Sequence, residues 1–310
     1  MTDDPGALHA AFRALPPKAR SALLLDLLRE AGVRSLVIPG RQGEVETFTA
    51  DRTVAPKYLK NGVWSREIVG LARRFLEPAG GTWIDLGANI GLTTIPLARL
   101  PGVRCHAIEA DPDNFALLRR NLERNDVTGA VTARHAAVVA RAGPVVLERA
   151  SANLGDHRVR IGEAGEDTYG EAARDTVTVP GLTLDELIDA DGMAGPVVVK
   201  MDIQGAEPLA WSGGARVMAR ADLLLTEYWP YGLRRLPVPL ADYHAMLAGE
   251  FSWAARLADG QDPDSVRLRP VAEIIAGLDD VGRDRPIEAI DLVLARSPAI
   301  PGQRDSATPR

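Results

Sequence analysis

Four carboxylates and one glycine turn are the residues of this chain placed to do chemistry together. Asp85 stands two positions before Gly87 in Ile84-Asp-Leu-Gly-Ala-Asn-Ile-Gly91, Glu109 follows Gly87 by 22 positions, and Asp202 and Glu227 each close an apolar run. A strand that ends on a glycine turn and opens a helix makes a nucleotide pocket, because Gly87 and Gly91 let the backbone turn and a ligand approach where a β-carbon would collide. Between them lie Ala88 and Asn89, whose amide takes the place of the middle glycine of a dinucleotide site. An acid at position 85 would repel a diphosphate seated on the turn. S-adenosylmethionine carries an ammonium and a sulfonium and no phosphate, so it is the expected cofactor. Glu109 falls where the ribose hydroxyls of an adenosine lie, with Ala110 beside it, and Ala137 on the next strand borders the adenine.

Methyl transfer is an in-line displacement, so a site must align the acceptor oxygen and remove its proton. Asp202 is the expected base or orienting group, and Glu227 is its neighbour on the adjoining strand. Two such acids raise one another's pKa or hold a divalent cation. The plainer alternatives are that Asp202 takes the cofactor's ammonium and Glu227 caps a turn. His157, in a polar loop over 151–174, is a further candidate base. Loops over a nucleotide pocket often contact substrate, which makes Asn153 a candidate contact. Tyr228 and Trp229, just after Glu227, offer a wall against which an acceptor could pack. A metal is not favoured.

These residues need elements to carry them. Apolar runs at 81–86, 103–110, 131–138, 196–203, 221–227, 251–258 and 289–295 read as strands, several of them continuous enough to be buried on both faces. Helical patterns lie between them, and Asp111-Pro112 and Gln204-Gly-Ala-Glu-Pro208 are helix openings. Strand and helix alternate over about 150 residues, which is the pattern of an α/β, doubly wound, mostly parallel sheet. Ahead of it, 7–31 is helical with a break at Pro16-Pro17, 35–51 gives two short strands, and 58–76 a helix. The N-terminal helix is expected to pack on the domain or on a second subunit, which makes a homodimer a candidate.

The chain has 310 residues, 46% hydrophobic and 25% charged, with net charge −6. That balance suits an ordinary globular protein and argues against a general affinity for nucleic acid. No apolar run has the length of a membrane span, and the acidic start is unlike a signal peptide, so a cytoplasmic protein is expected. The single Cys105 excludes an intramolecular disulfide and reads as a core residue.

Taken in order, Ile84–Gly91, Ala107-Ile-Glu-Ala-Asp-Pro112, Asn121-Leu-Glu-Arg-Asn125, Asn153-Leu-Gly155, Leu182-Thr-Leu-Asp-Glu-Leu187 and Lys200-Met-Asp-Ile-Gln-Gly-Ala-Glu207 resemble the FkbM family of S-adenosylmethionine-dependent methyltransferases. The resemblance covers about 58–230. It implies a Rossmann-like class I methyltransferase fold of seven strands, the last antiparallel, and O-methylation of a small molecule, sugar or polyketide. Many members have an acid where this chain has Gln204. The amide removes one negative charge beside Asp202 and weakens the case for a metal.

The expected division is an extension over 1–57, a cofactor-binding methyltransferase domain over 58–297, and a disordered tail over 298–310. Two other classes stay open: a nicotinamide-dependent oxidoreductase on the same nucleotide fold, and a cofactor-binding module without catalysis.

Overall fold

Trp83, Ile84 and Leu86 belong to a strand on which every residue is buried, and Val197, Val198 and Val199 to its equally buried neighbour. Alternation sorts their side chains: Trp83 and Val198 pack into one hydrophobic core, while Ile84, Val197 and Val199 pack into a second on the opposite face. The computed structural model describes residues 5–160, 170–283 and 288–301. Part of the 151–174 loop and most of the expected tail lie outside them.

In chain order the strands are β1 (Ser35–Gly40), β2 (Gly43–Phe48), β3 (Gly81–Leu86), β4 (Val103–Glu109), β5 (Val131–His135), β6 (Ala137–Val138), β7 (Gly143–Arg149), β8 (Arg158–Arg160), β9 (Asp175–Leu182), β10 (Val197–Met201), β11 (Leu223–Tyr228), β12 (Trp253–Leu257), β13 (Arg269–Pro270) and β14 (Ile290–Ala295). The main sheet runs β13-β12-β14-β11-β10-β3-β4-β5. Pairing is parallel from β5 through β11, and β14 is antiparallel to both β11 and β12. The seven expected strands are therefore present, with the two-residue β13 as an added edge. The chain walks outward from β3 to β5, then returns to the other side of β3 at β10. At that reversal the carboxyl ends of neighbouring strands part and leave a crevice.

A second sheet, β6-β9-β7-β8, was not anticipated. The apolar run 131–138 is two strands rather than one: it leaves the main sheet at Ala136, whose N–H bonds the Glu109 carbonyl, and β6 then pairs with β9. Helix signals were easier to read. Asp111 caps the helix Pro112–Arg124 by accepting from the N–H groups of Asp113 and Asn114, and Thr183 and Glu186 form a capping box on Leu184–Leu187. The expected helix over 58–76 is two helices, Val54–Asn61 and Arg66–Leu76, separated at Gly62, which has φ +65°. Among the described residues no helix is long and apolar enough to cross a membrane.

Candidate active site

A cavity of about 230 Å³ opens at the carboxyl ends of β3, β4 and β10. Its floor is the turn after β3. Gly87 has φ +76°, and a β-carbon there would overlap the carbonyl oxygen of Asp202, so the glycine is required by the neighbouring strand end as well as by any ligand. Asn89 has φ +51°, a left-handed conformation that Asn tolerates better than most residues. Glu109 fixes this turn: its two carboxylate oxygens accept the Asn89 N–H (2.7 Å) and the Asp111 N–H (2.8 Å). Burial pushes the Glu109 carboxyl up to about 7, against the pull of those two donors. Gly87, Ala88, Asn89, Glu109, Ala110 and Ala137 all line the cavity.

Two of the expected cofactor residues do not. Gly91 (φ +94°) faces Leu118 and Ile95 inside the core. Asp85 is completely buried, and each of its oxygens is occupied. Oδ2 accepts from the hydroxyls of Thr93 (2.6 Å) and Thr94 (2.7 Å), and Oδ1 takes Lys200 Nζ at 3.0 Å. Lys200 stands in register opposite Asp85 on β10, and its ammonium also donates to the Gly87 carbonyl at 3.0 Å. Burial works against that charge, yet Asp85 and Asp202 hold the Lys200 pKa above its ordinary value. With Asp85 neutralised in this way, the repulsion it was expected to exert on a diphosphate is cancelled locally. The pair braces the turn, and of the two only Lys200 reaches the cavity wall.

The acid end of the cavity is built by the residues after β10 and at the end of β11. Gln204 (φ +56°) donates through Nε2 to Asp202 Oδ1 (2.9 Å) and to Glu227 Oε2 (3.0 Å), joining the two carboxylates through one amide. Asp202 keeps 42% of its side chain exposed, and its other oxygen lies 3.8 Å from Lys200. Glu227 stands in register opposite Asp291. Burial, then the charges of Asp202, Glu207 and Asp291, raises the Glu227 pKa well above the carboxylate range. Burial also takes Glu207 and Asp291 to about 7. Among the described residues no group of three or more His, Cys, Asp or Glu side chains is arranged to hold a metal ion.

His157 and Asn153 line the cavity as expected, but His157 does not present a base. Its Nδ1 accepts the Ala150 N–H (3.0 Å), which leaves the hydrogen of the neutral ring on Nε2, 3.8 Å from Asp111. Burial lowers the His157 pKa, so the ring stays neutral near pH 7. Tyr228 and Trp229 are absent from the wall. Tyr228 is buried with its hydroxyl 2.9 Å from His244 Nε2, and Trp229 lies under the Arg158 guanidinium at 4.5 Å. Their apolar bulk, which suggested a substrate wall, is spent on the core and on supporting the small sheet.

The wall also contains residues outside the expected site set. Thr53, Val54 and Trp64 come from the segment before β3, Asn114 from the helix after β4, and Lys200 and Gln204 from the β10 edge. Lys200 and Gln204 sat inside a quoted motif and were legible there. Thr53, Val54 and Trp64 carried no local signal, because nothing in their neighbourhood indicates which face of the sheet that segment covers.

Residues 85–216 match the model of the methyltransferase FkbM domain. A curated relative, the hexuronic acid methyltransferase AglP of Haloferax volcanii, is 23% identical over 200 residues, covering 64% of this chain and 77% of its own. Among solved structures, an O-methyltransferase from Bacillus cereus in complex with SAH aligns at 14% identity and TM-score 0.39, covering 74% of this chain and 79% of that one. The precorrin-6y C5,15-methyltransferase from Geobacter metallireducens aligns at 13% identity and TM-score 0.35, covering 74% and 87%. Likeness at that level adds nothing to the strand order, which defines the Rossmann-like fold by itself. Residues 85–216 are thus similar to a methyltransferase FkbM domain, and the order of the motifs within them agrees with that match.

Proposed function

We propose that the protein transfers the methyl group of S-adenosylmethionine to a hydroxyl of a small acceptor, with the methyl donor on the Gly87–Asn89 turn and the acceptor at Asp202. The observation that carries this reading is the make-up of the cavity wall. Glu109, Asp202 and Glu227 line it, and the ammonium in its described lining, Lys200, is already paired by Asp85. Such a wall offers acceptors to an ammonium and to hydroxyls, and it offers a diphosphate no cation that is not already taken. Glu109, anchored by two backbone donors, offers its remaining lone pairs to ribose hydroxyls, and Ala136, Ala137 and Val138 give an apolar border for a base.

Bound there, S-adenosylmethionine supplies an electrophilic methyl: the carbon–oxygen bond forms as the carbon–sulfur bond breaks, and the acceptor's proton leaves. Asp202 is the group to receive that proton, since it is the partly exposed carboxylate of the clamped pair. Gln204, anchored on Glu227, holds it in place. Alignment is the larger contribution, about 7–11 kcal/mol, against about 10²–10⁴-fold from a positioned base. The name of the hexuronic acid methyltransferase relative supports a sugar acid as the first acceptor to try.

The test is incubation with S-adenosylmethionine and a panel of hydroxylated acceptors, sugar acids included, read by mass spectrometry. A gain of one methyl group is expected, with Asp202→Asn slower by about 10²–10⁴-fold at little change in cofactor affinity. Full turnover in that variant removes Asp202 from the chemistry, and cofactor binding without methylation of any acceptor favours a non-catalytic module.

A further inference from the structure

Trp64 is the part of the cavity wall that neither the glycine turn nor the acid end explains. It is half-buried, and the described lining contains no Phe or Tyr beside it. It sits in the link between the helices Val54–Asn61 and Arg66–Leu76, a place where a chain is ordinarily free to vary. Here the link is fixed by the tip of the β1–β2 hairpin. The buried Gln42 donates Nε2–H to the Trp64 carbonyl (2.8 Å) and accepts the Trp64 N–H on Oε1 (2.5 Å). Arg41 holds the residues just ahead, its N–H on the Gly62 carbonyl (2.8 Å) and its guanidinium on the Asn61 carbonyl (3.3 Å). Lys57 Nζ lies over the indole, 4.9 Å from its centroid. Immediately after it, Ser65 is held at φ +40°, a conformation that persists in a non-glycine residue where the surroundings impose it. A hairpin thus fixes the backbone of the one aromatic residue in the described wall of a cavity whose acid end is polar.

We propose that Trp64 is the platform of the acceptor subsite, and that the acceptor class it selects is a hydroxyl-rich sugar ring laid on the indole. This deepens the methyltransferase reading and rests on it. A flat aromatic acceptor is best bound between apolar walls. Other side chains lining the same cavity, Asn153, Asp202, Gln204 and Glu227, offer hydrogen bonds that a polyhydroxylated ring uses and a flat hydrocarbon surface wastes. A sugar presents both an apolar C–H face for the indole and hydroxyls for those groups.

The experiment loads the full chain with S-adenosylhomocysteine, measured by calorimetry, and then adds methyl hexopyranosides and methyl hexuronides, read by saturation-transfer NMR and calorimetry. Sugar binding is expected in the wild type. Trp64→Leu, which keeps apolar bulk and removes the flat face, is expected to weaken it about tenfold or more, with S-adenosylhomocysteine affinity unchanged, while Trp64→Phe keeps most of it. A wild type that binds no sugar, a Trp64→Leu protein that binds sugar normally, or one that loses both ligands together overturns the subsite. Trp64-dependent binding of catechols or flavonoids in place of sugars overturns the sugar class. Failure of S-adenosylhomocysteine to bind is seen before any sugar is added, and it strikes the methyltransferase reading itself.

Discussion

Lys200 and Asp85 face each other across β10 and β3 with almost no solvent on either side chain. Each is tolerable there because the other is present, and removing one leaves a buried charge uncompensated. Lys200→Met is therefore expected to lower stability by about 3–5 kcal/mol in urea unfolding, and Asp85→Asn with Lys200→Met to recover much of the loss. A single variant as stable as wild type would show that the pair carries no such burden. Reading types and spacing found Asp85 but gave it a ligand. The register that sets Lys200 opposite it is a property of strand pairing, so no local spacing reveals it. Glu227 was read as an acid at a strand end beside another, and its environment gives a titration test. Its pKa is raised on folding, so the folded state holds the proton over a pH range where the unfolded chain has released it, and stability falls as pH rises through that range. Relative to Glu227→Gln, the wild type is expected to lose at most about 1.4 kcal/mol per pH unit between pH 5 and its raised pKa. A difference that does not vary with pH would contradict the assignment.

Elements decide which of these residues meet. The β1–β2 hairpin is held to the rest of the fold by side-chain amides that continue its hydrogen bonding: Asn121 accepts the Glu46 N–H (2.7 Å) and donates to the carbonyls of Glu46 (3.0 Å) and Ile90 (2.9 Å). Asn125 does the same for Glu44, accepting its N–H at 3.0 Å and donating to its carbonyl at 2.7 Å. Both asparagines lay in a quoted motif, yet their service to a hairpin 75 or more positions away was illegible, since a sequence shows the amide and not its partner. Asn121→Ala leaves buried backbone groups unpaired and is expected to cost about 1–3 kcal/mol. Because Gln42 at the hairpin tip holds the Trp64 backbone, the same variant is expected to raise the KM for acceptor more than that for methyl donor, in steady-state kinetics. Equal effects on both would place the hairpin outside the acceptor end. The small sheet is the element that pattern reading missed most completely. Its polar strands alternate weakly, and the buried Glu148 on β7, bonded to Arg160 at 2.9 Å and Arg235 at 2.9 Å, reads in sequence as a surface charge.

At the scale of the whole molecule, the sheet order was legible because buried parallel strands announce themselves as apolar runs, and the reversal between β3 and β10 then fixes where a ligand sits. The depth of detail ends there: the cavity draws its wall from segments between 53 and 227, and only folding brings them together. Its described lining holds more acids than cations, and on the proposed function that imbalance selects a positively charged adenosine compound over a dinucleotide. Calorimetric titration of the wild type and of Glu109→Ala with S-adenosylmethionine and with NAD tests this most directly. The expected result is binding of S-adenosylmethionine and none of NAD, with the variant weaker by about tenfold or more. Binding of NAD without S-adenosylmethionine, or a Glu109→Ala protein with undiminished affinity, would contradict it.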